Sequence, residues 1–481
     1  MQYQKNNSDF SLTRYKLGSV LDLNEIITLG IFLLVYFLMV VRIRLNNLPF
    51  WIIMSIGSIL VLGFGIIPIQ SALESINFQV IIFLFGMFSI TTALERSGVL
   101  DHVIGTVLLK IKTADHVVLV IVFMSGFLAA FVVNDTAAIL LIPFAISISN
   151  QLRIRPSIVL ISIAIGINIG STMTPIGSPQ NLLIASQSGI ALPFMTFLSI
   201  LGPPTIINLF LSGLVLHLYY KKSLFTKLPL EQQYAKNDVK DANYENQDSC
   251  EVSNKLKPIQ FSFTNRFAKI SVLVFLFTIG AIILSEITNL LFGIHVDIGI
   301  ISLVGAVILY ILCKERISIL RNVNYSVLMF FVGMFIFTTA LWTSGLIPTM
   351  MDYFPPLNLN NTYNETENML YNNAIISVVS ITMSQILSNV PFVVLYNHYM
   401  IEHGFDQDDV SAWLMLASAS TIAGNLTIFG AASNIIIMQT AESRGMKVFT
   451  FVEFFKIGSI ITVLNICVYY LFLAFYIFYR V

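Results

Sequence analysis

The chain has 481 residues, 56% apolar and only 11% charged, against roughly 25% charged in an average soluble protein. Lys and Arg balance Asp and Glu at 26 each, so the formal net charge is zero at pH 7, which argues against a nucleic-acid or other polyanionic partner. Apolar runs of about 20 residues recur along most of the length, enough for helices to cross a bilayer, so composition alone gives an all-α polytopic membrane protein with mean hydropathy +0.82.

From the N-terminus, residues 1–23 form a polar tail without the pattern of a cleavable signal. Apolar spans are predicted at 24–41, 48–69, 78–94, 116–150, 156–189 and 193–219. The piece 97–112 reads as a short amphipathic segment at the interface. A polar linker at 221–266 carries eight Lys or Arg residues. The pattern resumes at 268–291, 297–313, 325–342, 373–400, 411–441 and 449–479. The three cysteines, Cys250, Cys313 and Cys467, are scattered without metal-ligand spacing and read as free thiols.

Basic residues collect in cytoplasmic loops. The connections 42–47, 95–115, 151–155, 220–266, 314–322 and 442–448 hold 20 of the 26 Lys and Arg residues, whereas 70–77, 186–192, 291–297, 343–372 and 401–410 hold none. The two sets alternate sides if both termini lie outside and the 221–266 loop lies in the cytoplasm of a cell membrane.

Residues 78–100, FQVIIFLFGMFSITTALERSGVL, match residues 325–347, YSVLMFFVGMFIFTTALWTSGLI, at 11 of 23 positions with a constant offset of 247. Downstream, VVNDTAAILL pairs with LSNVPFVVLY. TMTPIGSPQNLLI pairs with NLTIFGAASNIII at an offset of 253, keeping Thr174/Thr427, Gly177/Gly430 and Asn181/Asn434. This is an internal duplication. Each copy holds an odd number of crossings, so the second is inverted relative to the first. The expected organisation is a tail at 1–23, a first inverted repeat at 24–220, a linker at 221–266 and a second repeat at 267–481.

Residues 156–189 would run about 51 Å as one helix, well beyond a hydrocarbon core of about 30 Å. Gly170, Pro175, Gly177 and Pro179 open the backbone part-way, and 424–434 does the same in the second copy. Freed backbone groups at such breaks must be buried in protein or line a cavity, where carbonyls and helix ends coordinate ions. Asn181 and Asn434, just beyond the breaks, are placed to cap the half-helices that resume. The doubled segments 116–150 and 373–400 carry polar tips, Asn134-Asp135-Thr136 and Ser388-Asn389. Re-entrant hairpins and pairs of full spans both return the chain to the same side; the lack of basic or turn-rich residues at the tips favours hairpins. The expected architecture is therefore about ten spans plus two hairpins. Asp135 is the one acidic residue expected deep in the membrane, where a carboxylate needs a partner, a proton or a cation.

The motif NIGSTMTPIGSPQN and its partner, with Asn-bearing tips in inverted repeats, resemble the ion transporter superfamily, which includes the divalent anion:sodium symporters, arsenite permeases, NhaD-type sodium/proton antiporters and citrate-transporter-like permeases. The resemblance spans nearly the whole chain from about residue 24. It implies a homodimer with a scaffold and an elevator-like transport domain. It also implies Na⁺ (or H⁺) as coupling ion, with no covalent cofactor. By resemblance, Na⁺ is held by Asn134, Asp135, Gly177, Ser384, Ser388, Asn389 and Gly430, and substrate by Asn134, Thr136, Thr174, Asn181, Asn389, Asn425, Thr427 and Asn434. Val390 stands where the sodium-dicarboxylate branch has Thr, and the first tip reads Val133-Asn134-Asp135, nearer the arsenite-permease and citrate-like branches.

The expected function is secondary transport of a small anion, a carboxylate or inorganic oxyanion, coupled to Na⁺ or H⁺. A sodium/proton antiporter with Asp135 as carrier is the alternative, and an arsenite or metalloid effluxer lies between them. No nucleophile-and-base arrangement or metal cluster suggests an enzyme.

Overall fold

Helices are the regular elements of this computed structural model, which describes residues 22–41, 49–99, 102, 106, 117–225, 266–294, 296–351, 355–357 and 365–480. Most of the tail expected at 1–23, of the interfacial piece at 97–112 and of the linker at 221–266 lies outside them, as does Cys250. The first half comprises α1 (Leu23–Val41), α2 (Phe50–Gly63), α3 (Ile69–Glu74), α4 (Phe78–Arg96), α5 (Val117–Phe131), α6 (Asn134–Leu152), α7 (Pro156–Gly170) and α8 (Pro179–Gln187). It closes with α9 (Pro193–Thr196) and α10 (Gly202–Phe225), joined through a π-turn at Phe197–Leu201. The second half comprises α11 (Arg266–Phe292), α12 (Ile298–Leu312), α13 (Arg316–Arg321), α14 (Tyr325–Thr343), α15 (Leu346–Met351), α16 (Glu365–Leu387), α17 (Asn389–Glu402), α18 (Val410–Ile422), α19 (Ala432–Ser443) and α20 (Phe451–Arg480). Eight of these helical stretches are long and apolar enough to cross a membrane, and four shorter apolar helices accompany them. The protein is a multi-pass membrane protein.

The two matched segments fold alike. α4 and α14 are both 19-residue helices, and their bounds differ by the sequence offset. Each packs on a helix of the other half: α12 lies against α4, and α2 against α14. The glycines of the shared Gly-Met pair make these contacts. A Cβ on Gly86 would meet the Ser302 backbone at 2.6 Å, and one on Gly333 would meet that of Met54 at 3.1 Å. Reciprocal hydroxyl bonds lock the pairs, Ser58 Oγ donating to the Gly333 carbonyl at 2.7 Å and Ser302 Oγ to that of Phe83 at 3.3 Å. Small residues and interhelical hydrogen bonds bind helices where lipid removes the hydrophobic drive.

Both expected breaks are present. α7 continues into a 3₁₀ turn at Ser171–Met173 and stops; α8 resumes at Pro179 with Ser178 as its N-cap. α18 runs into a turn at Ala423–Asn425, followed by another at Ile428–Gly430, before α19 begins. α7 is almost wholly buried, which accounts for its apolar residues on every face.

The doubled segments turn back inside the protein. The backbone N–H of Asn134, at the tip between α5 and α6, donates to the Gly177 carbonyl in the first break at 3.0 Å. The tip therefore sits at the depth of the break. α16 and α17 are separated by Ser388 alone, and Gln385, just before that tip, donates to the Ala423 carbonyl of the second break at 2.9 Å.

Among the described residues a second carboxylate, Glu286 in the penultimate turn of α11, is buried in the protein. Its two carboxylate oxygens accept the backbone N–H groups of Phe194 and Met195 at 2.6 and 3.0 Å. It caps the first turn of α9 from another helix, so a carboxylate that the apolar pattern of 268–291 concealed is satisfied by free helix N–H groups.

Hairpin and broken helix meet most tightly where Gly170 lies on the Gly126 backbone. Gly170→Val is expected to lower the melting temperature in detergent, at an overpacking cost of about 1–3 kcal/mol. Gly30→Val, with no atom within 4 Å of the new Cβ, is expected to leave it unchanged.

Candidate functional site

Breaking a helix frees the last carbonyls of the first half and the first N–H groups of the second. The carbonyls are answered by side chains from just beyond each break. Asn181 Nδ2 donates to the carbonyls of Ser171 and Thr174 at 2.9 and 3.4 Å. Asn434 Nδ2 donates to those of Gly424 and Thr427 at 2.6 and 3.3 Å. These partners are 253 residues apart, as are the asparagines. The expectation that Asn181 and Asn434 cap the resuming half-helices is thus corrected: they cap the C-terminal ends that precede them, because an amide group can donate to carbonyls there. Ser178 takes the N-cap of α8, accepting from Asn181 N at 3.4 Å, while Ala431 supplies no side-chain cap to α19.

The amide oxygens then tie the two breaks together. Asn168 Nδ2 donates to Asn434 Oδ1 at 3.1 Å and Asn425 Oδ1 at 3.0 Å, and Ser433 Oγ donates to Asn168 Oδ1 at 3.2 Å. Across the crossing, Thr421 Oγ1 donates to Asn181 Oδ1 at 3.1 Å, and Gln180 Nε2 to Thr421 Oγ1 at 3.3 Å. Asn168/Thr421 and Gln180/Ser433 also differ by 253. The same bonds therefore recur in both directions. The sequence reading missed Asn168, Gln180, Thr421 and Ser433; the offset that pairs Thr174 with Thr427 was the available signal.

Each hairpin is bonded to its break. Thr174 Oγ1 donates to the Ala130 carbonyl, and the Gly177 N–H donates back to Thr174 Oγ1 at 3.1 Å. Thr427 Oγ1 donates to Gln385 Oε1 at 2.7 Å. Gly177 and Gly430 are pressed close: a Cβ on either would meet the Ser171 or Ala423 carbonyl at 2.5 or 2.7 Å. Of the expected substrate and ion residues, Thr174, Asn181, Asn425, Thr427 and Asn434 are thus engaged in holding the breaks and hairpins together. Thr136 is half-buried beyond the first tip, and Ser384 Oγ is buried without a hydrogen-bond partner.

The remaining candidates converge on a cavity of about 210 Å³. Asn134 and Asp135 from the first tip, Ser388 and Asn389 from the second, Pro179 and Gln180 from one break, and Ala431 and Ala432 from the other all line it. Pro49–Trp51 with Asn324, Ser326 and Val327, at the starts of α2 and α14, also line it. Among the described residues, Asp135 is its only charged lining side chain, and no Lys, Arg or His lines it. Six helices of nine residues or more begin at this cavity: α6 at Asn134, α8 at Pro179, α17 at Asn389 and α19 at Ala432, besides α2 and α14. Helix N-termini carry a partial positive charge and unpaired N–H groups, so they attract anions without a basic side chain. Asn389 Oδ1 is buried with no partner, an oxygen free for a cation or hydroxyl.

Ser388 has φ +68° and ψ +159°, a region that residues other than glycine rarely occupy and that costs of order 1–3 kcal/mol. Such strain collects at ligand sites, and here it marks the second tip.

The family described as Citrate transporter matches residues 34–404. This chain belongs to that family. It is similar to the putative transporter arsB of Dictyostelium discoideum, 24% identical over 86% of this chain and 85% of the relative. It is also similar to the silicon efflux transporter LSI3 of Oryza sativa subsp. japonica, 24% identical over 80% and 84%. Among solved structures, the Alcanivorax borkumensis YdaH transporter covers 95% of this chain and 98% of its own at 12% identity, with a TM-score of 0.46. This family member is a membrane transporter.

Two substitutions separate scaffold from binding wall. Asn168→Ala strands Asn425 Oδ1, Asn434 Oδ1 and Ser433 Oγ in the crossing, at about 1–3 kcal/mol for each buried group left unsatisfied; thermal unfolding in detergent is expected to shift downward by many degrees. Ser388→Gly relieves the strained backbone and is expected to raise the same midpoint.

Proposed function

We propose that this citrate-transporter-family member carries a small anion, a carboxylate or inorganic oxyanion, coupled to Na⁺ or H⁺. The convergence of six helix N-termini on one cavity without a basic side chain carries the reading. The N-termini and amide groups of Asn134, Gln180 and Asn389 hold the anion, and Asp135 with nearby amide oxygens holds the coupling cation. The two charges screen each other, so neither is left alone in a low-dielectric site. The names of the arsB and LSI3 relatives favour an inorganic oxyanion or its parent acid over a tricarboxylate. The cavity's size agrees: about 210 Å³ suits a small solute.

Alternating access follows the elevator scheme in this reading. Hairpins and broken helices, cross-bonded through Asn168 and Thr421, move as one body against α2, α4, α12 and α14, in a homodimer of inverted repeats. The cavity reaches the starts of α2 and α14, next to the basic connections 42–47 and 314–322, so this conformation faces the cytoplasm if both termini lie outside a plasma membrane. A cation/proton antiporter is the second reading, favoured by Asp135 as the single charge in the described lining.

Uptake into proteoliposomes of labelled arsenite, silicate, phosphate and citrate, with and without sodium and pH gradients, tests the proposal. Accumulation of one anion driven by a cation gradient is expected, and cation exchange with no anion moved would replace the first reading by the second. Asn134→Ala and Asn389→Ala are each expected to abolish transport while expression and unfolding midpoint hold. Asp135→Asn is expected to weaken activation of transport by the driving cation, raising its half-saturating concentration. For orientation, Ser188 on the basic-free loop is buried, whereas Ala191 beside it is exposed. Ala191→Cys is expected to react with an impermeant thiol reagent from outside and Asn237→Cys only from inside; reversed labelling would overturn the orientation.

A further inference from the structure

α9 is a single helical turn whose chain connections and whose hydrogen bonds lead to different parts of the protein. The segment before it, α8, is the second half of a broken helix. After it, the π-turn at Phe197–Leu201 packs on the 3₁₀ turn of the first break, and α10 packs on α5, α7 and α20. Both connections therefore run into the body of hairpins and broken helices. The N–H groups of its first turn go elsewhere. Those of Phe194 and Met195 donate to the two carboxylate oxygens of Glu286 at 2.6 and 3.0 Å. Glu286 belongs to α11, which packs on α12 and α4, two helices of the opposing body. The carboxylate is 5% exposed, and bonds to an ionised acceptor are about twice as strong as neutral ones. Trp342 Nε1 also reaches across, donating to Glu402 Oε1 of α17 at 3.2 Å, but that bond is exposed, where water competes for both partners. Glu286 makes the stronger attachment.

The attachment has no counterpart in the other copy of the repeat. The equivalent of α11 is α1, the first span of the first half, and α1 carries no acidic residue after Glu25 in its first turn. At the offset of 253, α9 corresponds to the connection after α19, and residues 446–450 there form no helical turn. A free set of N–H groups and a carboxylate to receive them are both missing.

We infer that Glu286 is a latch that holds the two bodies in the conformation of this structure, and that its bonds to Phe194 and Met195 break each time the hairpin body moves. The inference rests on the sliding-body reading given above. In that reading the inverted copies exchange arrangements between the two access states. A contact built into one copy alone then favours one state over the other. Glu286 touches neither the cavity nor its ligands; it is a positioning residue that sets how long the carrier rests in this state.

Distances between spin labels in lipid test the latch without any transport assay. The full-length chain carries Cys250→Ser, Cys313→Ser and Cys467→Ser. One label pair, Val307→Cys on α12 with Val463→Cys on α20, spans the two bodies at exposed positions. A control pair, Phe210→Cys on α10 with Val463→Cys, lies within the hairpin body, also at exposed positions. Unlabelled chain in excess keeps labels of neighbouring copies apart. With Glu286 in place, the spanning pair is expected to show the distance of this structure and a second, less populated one. Glu286→Gln keeps the volume but removes the charge and one acceptor. It is expected to lower the ratio of the first distance to the second by about tenfold, within reach of one charged hydrogen bond. Glu286→Ala is expected to lower it at least as far, with the control distance unchanged in both. Two distances whose ratio neither variant alters overturn the latch and leave the sliding bodies standing. A single distance in all three chains sinks the sliding bodies, and the latch with them. Loss of the control distance in both variants would make Glu286 a staple of the fold and overturn the latch as well.

Discussion

Hydrocarbon leaves no water to satisfy backbone groups, so an interrupted helix in a membrane must bring its own partners. That constraint organises this protein. Each break strands carbonyls at the end of α7 or α18, and an asparagine placed after the break folds its amide back over them. The asparagine oxygens, once aligned, become acceptors for the opposite broken helix. Crossing of the two breaks is thus the completion of two hydrogen-bond deficits at once.

From this crossing the hairpins take their place. Thr174 and Thr427 donate outward, one to a backbone carbonyl of α5 and the other to the Gln385 amide of α16. The two hairpins therefore reach their breaks by different chemistry at equivalent positions. Glycines allow the approach, since a side chain at 170, 177 or 430 would occupy neighbouring backbone. Tips and half-helix starts then share one surface, where N–H groups not used for capping remain for a ligand.

The cavity wall combines attraction without specificity and specificity without charge. Helix N-termini supply a diffuse positive field, whereas Asn134, Gln180 and Asn389 supply directional groups. Asp135 at the start of α6 adds the one charge of the described lining beside that field. In contrast, Glu286 is spent on the first turn of α9, so the two buried carboxylates differ by whether protein donors already satisfy them.

The spans, both breaks, the polar tips and the duplication were legible in the sequence because each is a local or periodic signal. Hydropathy runs mark helices, Gly-Ser-Pro marks a backbone that cannot stay helical, and a constant offset marks equivalence. The tertiary structure decided what each polar residue is for. Asn181 and Asn134 look alike in sequence, yet one closes a break and the other faces the cavity. Gln180, Thr421, Asn168 and Ser433 carry the crossing although no local pattern sets them apart from other polar residues in apolar helices. Their partners are in most cases more than 200 positions away, and only the folded chain brings a donor to an acceptor over such a separation. Glu286 was hidden for the same reason: within its own helix it is an unmatched charge, and the N–H groups that satisfy it belong to a segment 91 and 92 residues earlier.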